Sequence, residues 1–454
     1  MATLLVDQSV HAGQRRRAAR LPHDGPWWAR RPAWVAGLLL CAAWAAAFPL
    51  VSELETHRVW GVCAAVGYAA AAATACGLPR PRARTASLVL ALAGAVVVPL
   101  LYLVLTARAQ SEVGVIERSG TLLLQHATPY LPHPRSVGEY TPYLPGMAVF
   151  GVPRAGLGAD DWVARLLGDA RVWCAAAFLM CLRGGRMMLG HPTRRTGQGS
   201  SPAGTPSLEY GCRYGPGLAA LVASPVVALP LCVSGVDLPL TGLCALALAC
   251  AARGRPVATG LALAAACSLK WTAWPAIAVA AALLAVAYGG RAALRATGVA
   301  VAGTVLVVLP SALLSPGALV EQVLAFPTGR GAVQTPASSP LPGHLLAEQG
   351  RLGWCAAVGL LLCGGLAVAA SLVVRPPSGL VAAADRLAAG LCVAFLLAPA
   401  GRFGYLALPV VLVVWARLAD PVTPPPRRPA PPPADAPARR ARGGCPLSGR
   451  GPAS

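Results

Sequence analysis

The sequence predicts an all-α polytopic membrane protein, on three observations. Of 454 residues, 56% are hydrophobic and only 12% are charged, about half the charge of a soluble domain. The apolar residues fall in runs close to the ~20 residues that a membrane-crossing helix needs. These runs are continuous Ala, Leu and Val, without the alternation of a barrel strand. The arginines gather in both tails and in short loops between runs, as the positive-inside rule requires. That placement accounts for the formal charge of +21 without nucleic acid.

Taken in order, residues 1–32 form a basic tail (Arg15, Arg16, Arg17, Arg20, Arg30, Arg31), which sets the N-terminus in the cytoplasm. The first apolar run starts only near Pro32 and is long enough to span, so it reads as a retained helix and not a cleaved signal. Runs at 33–51 and 59–77 make a helical pair, and the run at 86–107 delivers a long polar loop, Ser111 to Arg154, to the outer face. Further spans are expected near 164–182, 215–234, 238–252, 256–270, 273–289, 297–314, 353–374, 385–401 and 403–418. Arg183, Arg186, Arg194, Arg195, Arg253, Arg255, Arg291, Arg295 and Arg375 mark inner loops, and residues 315–352 form a second long outer loop. Residues 142–157 hold Pro142, Pro145 and Pro153 and are short for a span. A full crossing there would put the arginines after residue 182 outside, so a re-entrant or tilted half-helix is expected. The total is about twelve or thirteen crossings within a membrane domain of residues 33–418. Residues 419–454 are a Pro/Arg-rich tail, expected to be disordered in the cytoplasm.

The fourteen cysteines lie mostly in apolar runs with no CxxC pair, the pattern of small packing residues. His126, His133 and His344 fit no metal-ligand spacing, and neither metal nor cofactor is expected.

Several costly residues share the outer face in this topology: Glu112, Glu117, Asp237, Lys270, Arg330, His344 and Arg402. Each taken singly also fits a snorkelling anchor. Lys270 is the only lysine beside 37 arginines, and a compact ammonium suits a phosphate oxygen. Glu112 and Glu117 suit acid–base work, but five positions apart they do not share a helix face, so different jobs are expected. Tyr130, Tyr140, Tyr143, Trp162 and Trp173 fit an interfacial belt or a sugar-binding platform.

The loop resembles glycosyltransferase family 87, and in particular its actinobacterial branch. The family carries an acidic residue in a D-x-x-V-Y-x-x-A frame, then a leucine pair, P-Y and a later Y-x-P. Here Glu112, Val115, Ile116 and Ser119 fall in that frame. Leu122 and Leu123 follow, then Pro129-Tyr130 and Tyr140-Thr141-Pro142-Tyr143. The stretch 260–275, ending a Gly-rich helix in Lys270, is also similar. The resemblance implies a C-type membrane glycosyltransferase fold with two long outer loops. It further implies transfer of a hexose, often mannose, from a polyprenyl-phosphate donor to a lipid or glycan acceptor of the envelope.

Carried onto this chain, Glu112 takes the place of the catalytic acid, with Glu117 as the alternative. Lys270, Arg402 and Arg330 are candidates for the donor phosphate, and Tyr130, Tyr140, Tyr143, Asp237 and His344 for lining the substrate. The family aspartate is Glu112 here, and its tyrosine is Ile116. Expected partners are the polyprenyl-linked sugar, its acceptor and membrane lipids, with no nucleic acid, in the cell membrane with both termini cytoplasmic. A transporter or lipid flippase is the alternative class, since intramembrane charge and Pro-broken helices also mark transport paths. A non-catalytic partner in envelope assembly is a third.

Overall fold

A computed structural model describes residues 31–190 and 209–420. The two tails and the loop holding Arg194 and Arg195 lie outside the described residues. The chain is helical and polytopic, in agreement with the sequence. Among the described residues, eight helices are long and apolar enough to cross a membrane. They comprise α1 (Arg31–Val51), α2 (Glu55–Gly77) and a span built from α3 (Arg80–Leu92) and α4 (Val98–Leu105), followed by α8 (Ala170–Gly190). The others are α13 (Pro275–Tyr288) with the turn before it, α14 (Gly290–Leu314), α17 (Arg351–Val374) and α18 (Leu380–Leu397). Taken together as one span, α9 (Glu209–Ala223) and α10 (Pro225–Val233) make a ninth, bent by 60° where Pro225 follows Ser224. Three apolar helices are shorter: α11 (Leu238–Ala252), α12 (Pro256–Leu269) and the α19 segment (Ala407–Ala419, with the turn before it).

These short helices account for the gap between the crossings expected from hydropathy and those long enough to span. α11 is apolar on every side and buried from Leu238 to Ala251, packed against α8, α12, α13, α18 and α19. A helix surrounded by other helices has no lipid face to match to the bilayer thickness.

Local chemistry fixes the bends. Pro99 has no N–H for the Ala95 carbonyl one turn back, and the chain answers with a π turn, Ala93–Val97. The freed Ala95 carbonyl accepts from the buried Trp60 indole N–H at 2.9 Å. Beside this turn Gly67 meets Gly94, and a Cβ on Gly67 would lie 2.6 Å from the Gly94 Cα.

Ion pairs and hydrogen bonds sort the helix ends onto two faces. On one, Arg108 pairs with Glu55 at 2.6 Å, and Thr128 and Ser315 hydroxyls lie 2.6 Å apart. On the other, Arg31 donates to Ala75 O, Tyr288 OH donates to Ala252 O, and Arg417 pairs with Asp385. The segment 142–157 stays on the first face. It forms a buried 3-10 turn (Pro145–Gly151) and a short helix α6 (Val152–Leu157). Arg165 of α7 (Trp162–Gly168) donates back to Leu105 O at 3.2 Å. The chain therefore starts α8 on the face where α4 ended, without a crossing at 142–157.

Candidate functional site

The polar loop opens with helix α5 (Ser111–His126). Gln110 N donates to Val233 O at 3.1 Å, which fixes the entry to α5 beside the end of α10. Glu112 sits in the first turn of α5, where the helix dipole favours an anion. α5 lies close on the 3-10 turn because Gly120 and Gly151 face each other and Gly151 touches the Ile116 carbonyl. That turn leans on the end of α12: Leu144 N donates to Leu269 O at 3.0 Å. A Cβ on Gly146 would come within 2.8 Å of Ser268 O.

Lys270 ends α12 in an extended conformation. Its Nζ lies 2.9 Å from Asp237 Oδ1, at the start of α11, and 4.6 Å from the centroid of the Tyr405 ring. The Tyr143 ring is 5.7 Å away. Arg402 makes an ion pair with Glu112. The turn carrying Arg402 is tied to the second long loop: Ser339 N donates to Gly401 O at 3.0 Å and Gly401 N to Ala337 O at 2.9 Å. Glu112, Asp237, Lys270 and Arg402 thus form a neutral group of two anions and two cations, assembled from four separate stretches of chain.

Two cavities meet at this group. The first, about 580 Å³, is lined by Glu112, Tyr140, Tyr143, Lys270 and Arg402 at one end. It runs between α13, α17 and α18 along Leu361, Val368, Leu372, Leu387 and Leu391. The lining stretch of α17, Leu361–Leu372, spans about 16 Å at 1.5 Å per residue. The second, about 1350 Å³, shares Glu112, Tyr143, Lys270, Arg402 and Tyr405 and adds His57, Gln110 and Asp237.

The other residues singled out from sequence lie elsewhere. Glu117 faces away from both cavities, 3.1 Å from Arg154 and accepting from Ala170 N at 3.3 Å. Burial pushes its carboxyl above the ordinary carboxylate value, against the pull of Arg154. Tyr130 is buried and donates to Tyr143 O at 2.9 Å. Arg330 is exposed, with its guanidinium 5.0 Å over the Trp354 ring, and lines neither cavity. His344 donates from Nδ1 to Pro399 O at 2.9 Å and meets Glu348 through Nε2 at 3.2 Å. Among the described residues no group of three His, Cys, Asp or Glu side chains is placed to hold a metal ion.

Sequence reading missed the residues that hold the loops in place. Asp169 and the fully buried Arg171 pair at 2.7 Å, and Arg171 also donates to Arg108 O and Cys232 O. Gln322, also fully buried, joins the two long loops: its Oε1 accepts from Thr141 N at 3.0 Å and its Nε2 donates to Leu131 O at 2.7 Å. Tyr140 stacks on Phe326 at 4.3 Å and donates to Glu321 at 3.3 Å. A charged residue inside an apolar run was the only available signal, and it was present for Asp169 and Arg171, which both fall in the run 164–182.

The described residues form a helical membrane bundle in which a long apolar groove and a second cavity share Glu112, Lys270 and Arg402. The model of glycosyltransferase family 87 matches residues 140–399, more than half of the chain, and the chain belongs to that family. It is a membrane glycosyltransferase. No curated protein and no solved structure matches it significantly. The matched span includes Asp237 and Lys270 but not Glu112 or Arg402.

Proposed function

We propose that the protein transfers a hexose such as mannose from a polyprenyl-phosphate donor to an acceptor hydroxyl on the outer face of the cell membrane. The observation that carries this reading is the shape and chemistry of the first cavity. Its apolar groove between α13, α17 and α18 ends at Lys270 and Arg402. Such a groove holds a hydrocarbon chain, and two cations at its end suit the phosphate attached to that chain.

The mechanism follows from the charges. The four side chains balance, so a bound phosphodiester leaves the site with one excess negative charge. Glu112 takes the proton of the acceptor hydroxyl. The hydroxyl oxygen bonds to the anomeric carbon as the bond to the phosphate oxygen breaks, inverting the configuration. The phosphate leaves with an additional charge, which Lys270 and Arg402 stabilise as it develops. Arg402 turns from Glu112 toward the phosphate when the donor binds, so the base is freed only with the donor in place. Tyr140 and Tyr143 line the same cavity beside the cations. The test is transfer of labelled mannose from polyprenyl-phospho-mannose, and of glucose from the matching donor, in membranes containing the full chain. Transfer that is lost in Lys270→Ala supports the reading; no transfer by the wild type from either donor overturns it.

A further inference from the structure

We propose that the first cavity holds a second anion site at its far end, and that an anionic phospholipid of the opposite leaflet fills it, with its phosphate on Arg386 and an acyl chain in the groove. The inference goes beyond the reading above. The site stands without the donor, and only its competition with the donor rests on that reading. Four charged residues line the cavity. Glu112, Lys270 and Arg402 belong to the group already described, and Arg386 is the fourth. α17 and α18 run antiparallel, with Gly390 facing Val368 and Gly364 facing Val393. That register continues to Leu372 and Arg386, both in the wall. Phe395, toward the Lys270 end, lies about 14 Å from Arg386 along α18 at 1.5 Å per residue. The groove therefore has a cationic group at one end and a lone guanidinium at the other.

Arg386 needs an anion that the described chain does not give it. Among the described residues its side chain has no hydrogen-bond or ion-pair partner. The adjacent acid, Asp385, is taken: Arg417 holds both of its oxygens, at 2.7 and 3.0 Å. Arg386 also lies about 9 Å along α18 from Leu380, well inside the helix end. A simple helix-end anchor would sit where Arg375 does, exposed just after α17. An unpaired charge inside a membrane-spanning helix is costly, and such residues mark a place where an ion or polar group is received. Arg386 is half-buried, so a ligand can reach it. Beside it the wall is Leu372, Leu387 and Leu391, and farther along Gly365 leaves open space where a side chain would lie. One free cation next to an apolar channel matches a ligand with one net negative charge and a hydrocarbon chain. A soluble anion would leave the channel unused, and a zwitterionic lipid already carries a cation for its phosphate. Chains entering from the two ends share one apolar floor, so the phospholipid and a polyprenyl donor exclude each other.

The experiment uses the full chain in phosphatidylcholine nanodiscs with two photo-crosslinking probes, phosphatidylglycerol and phosphatidylcholine, each with a diazirine on one acyl chain. Crosslinked peptides are mapped by mass spectrometry. The phosphatidylglycerol probe is expected to label the groove around Gly365 and Leu391 about tenfold more than the phosphatidylcholine probe, the scale of one charge-assisted hydrogen bond. This comparison is made on the wild type and needs no variant to fold. Arg386→Gln should lower the phosphatidylglycerol labelling to the phosphatidylcholine level. Arg386→Lys, which keeps the charge, should retain most of it, and Arg375→Gln should leave it unchanged. Equal labelling by the two probes in the wild type would overturn the proposal, as would wild-type labelling in Arg386→Gln. An equal loss in Arg375→Gln would overturn it too, because the attraction would then belong to the whole face. Excess undecaprenyl phosphate should displace the phosphatidylglycerol probe from the groove. Labelling that depends on Arg386 but resists undecaprenyl phosphate would leave the phospholipid site standing and remove the donor from the groove.

Discussion

Glu112 and Arg402 are ion-paired although 290 residues separate them in sequence. The pair closes the floor of both cavities and keeps the proposed base occupied while no donor is present. The guanidinium occupies the carboxylate oxygen that would take the proton, so the contact has to loosen before a proton can move.

The sharpest expectation concerns Glu112 itself. Glu112→Gln keeps the size and a hydrogen bond to Arg402 but cannot accept the proton, so turnover should fall about 10²- to 10⁴-fold with donor binding nearly intact. Glu117→Gln should leave turnover far less affected, because Glu117 faces Arg154 and not the cavities. Glu112→Asp tests whether the wall is shaped for the longer acid. Sugar transfer in membranes measures all three; wild-type turnover in Glu112→Gln would remove Glu112 from the mechanism.

Lys270 is the next test. Lys270→Ala should weaken binding of a polyprenyl-phosphate donor by at least tenfold, and it should also strand Asp237, 2.9 Å away. Asp237→Asn in the same background relieves that stranded charge and should restore expression but not donor binding. Lys270→Arg should restore binding only in part, since a planar fork does not replace a point charge. Equal donor affinity in all these proteins would leave Lys270 as an anchor for Asp237 alone.

Topology can be read by cysteine labelling in a cysteine-depleted chain. Ser136 and Ser338 are exposed on the site face, and Ser378 is exposed on the opposite one. An impermeant maleimide added to intact cells should label Ser136→Cys and Ser338→Cys at once, and Ser378→Cys only after permeabilisation. The reverse pattern would place the site in the cytoplasm.

Glu117 carries a pH signature. Its carboxyl is raised in the folded protein by burial, so the folded state holds the proton more tightly than the unfolded chain. The stability this contributes is complete below the ordinary carboxylate value and is lost as pH rises through the folded value. Thermal midpoints in detergent at pH 4 to 7 should therefore show wild type losing ground to Glu117→Gln as pH rises. A constant difference would show that Arg154 balances the burial in full.

The crossing of Gly67 and Gly94 should not tolerate a side chain. A Cβ on Gly67 falls 2.6 Å from the Gly94 Cα, against backbone that cannot swing aside. Gly67→Ala should destabilise by about 1–3 kcal/mol, seen as a lower melting midpoint, whereas Ala at the open Gly365 should be neutral within error.

The sequence by itself determined the helical membrane bundle and the order of its apolar segments. Hydropathy and arginine placement are properties of each segment taken alone, and they do not depend on which neighbour the segment packs against. Lys270 was legible for the same reason, as the one lysine at the end of an apolar run. The tertiary structure decided the partners. Nothing local in the chain says that Glu112 meets Arg402, that Asp237 meets Lys270, or that Glu117 turns its back on both cavities toward Arg154. It also decided that residues 142–157 stay on one face, because that requires Arg165 to reach Leu105 and paired glycines to let α5 close on the turn. Charge pairs and close approaches between distant segments are set by how helices stack, and many stackings are compatible with the same run of apolar residues.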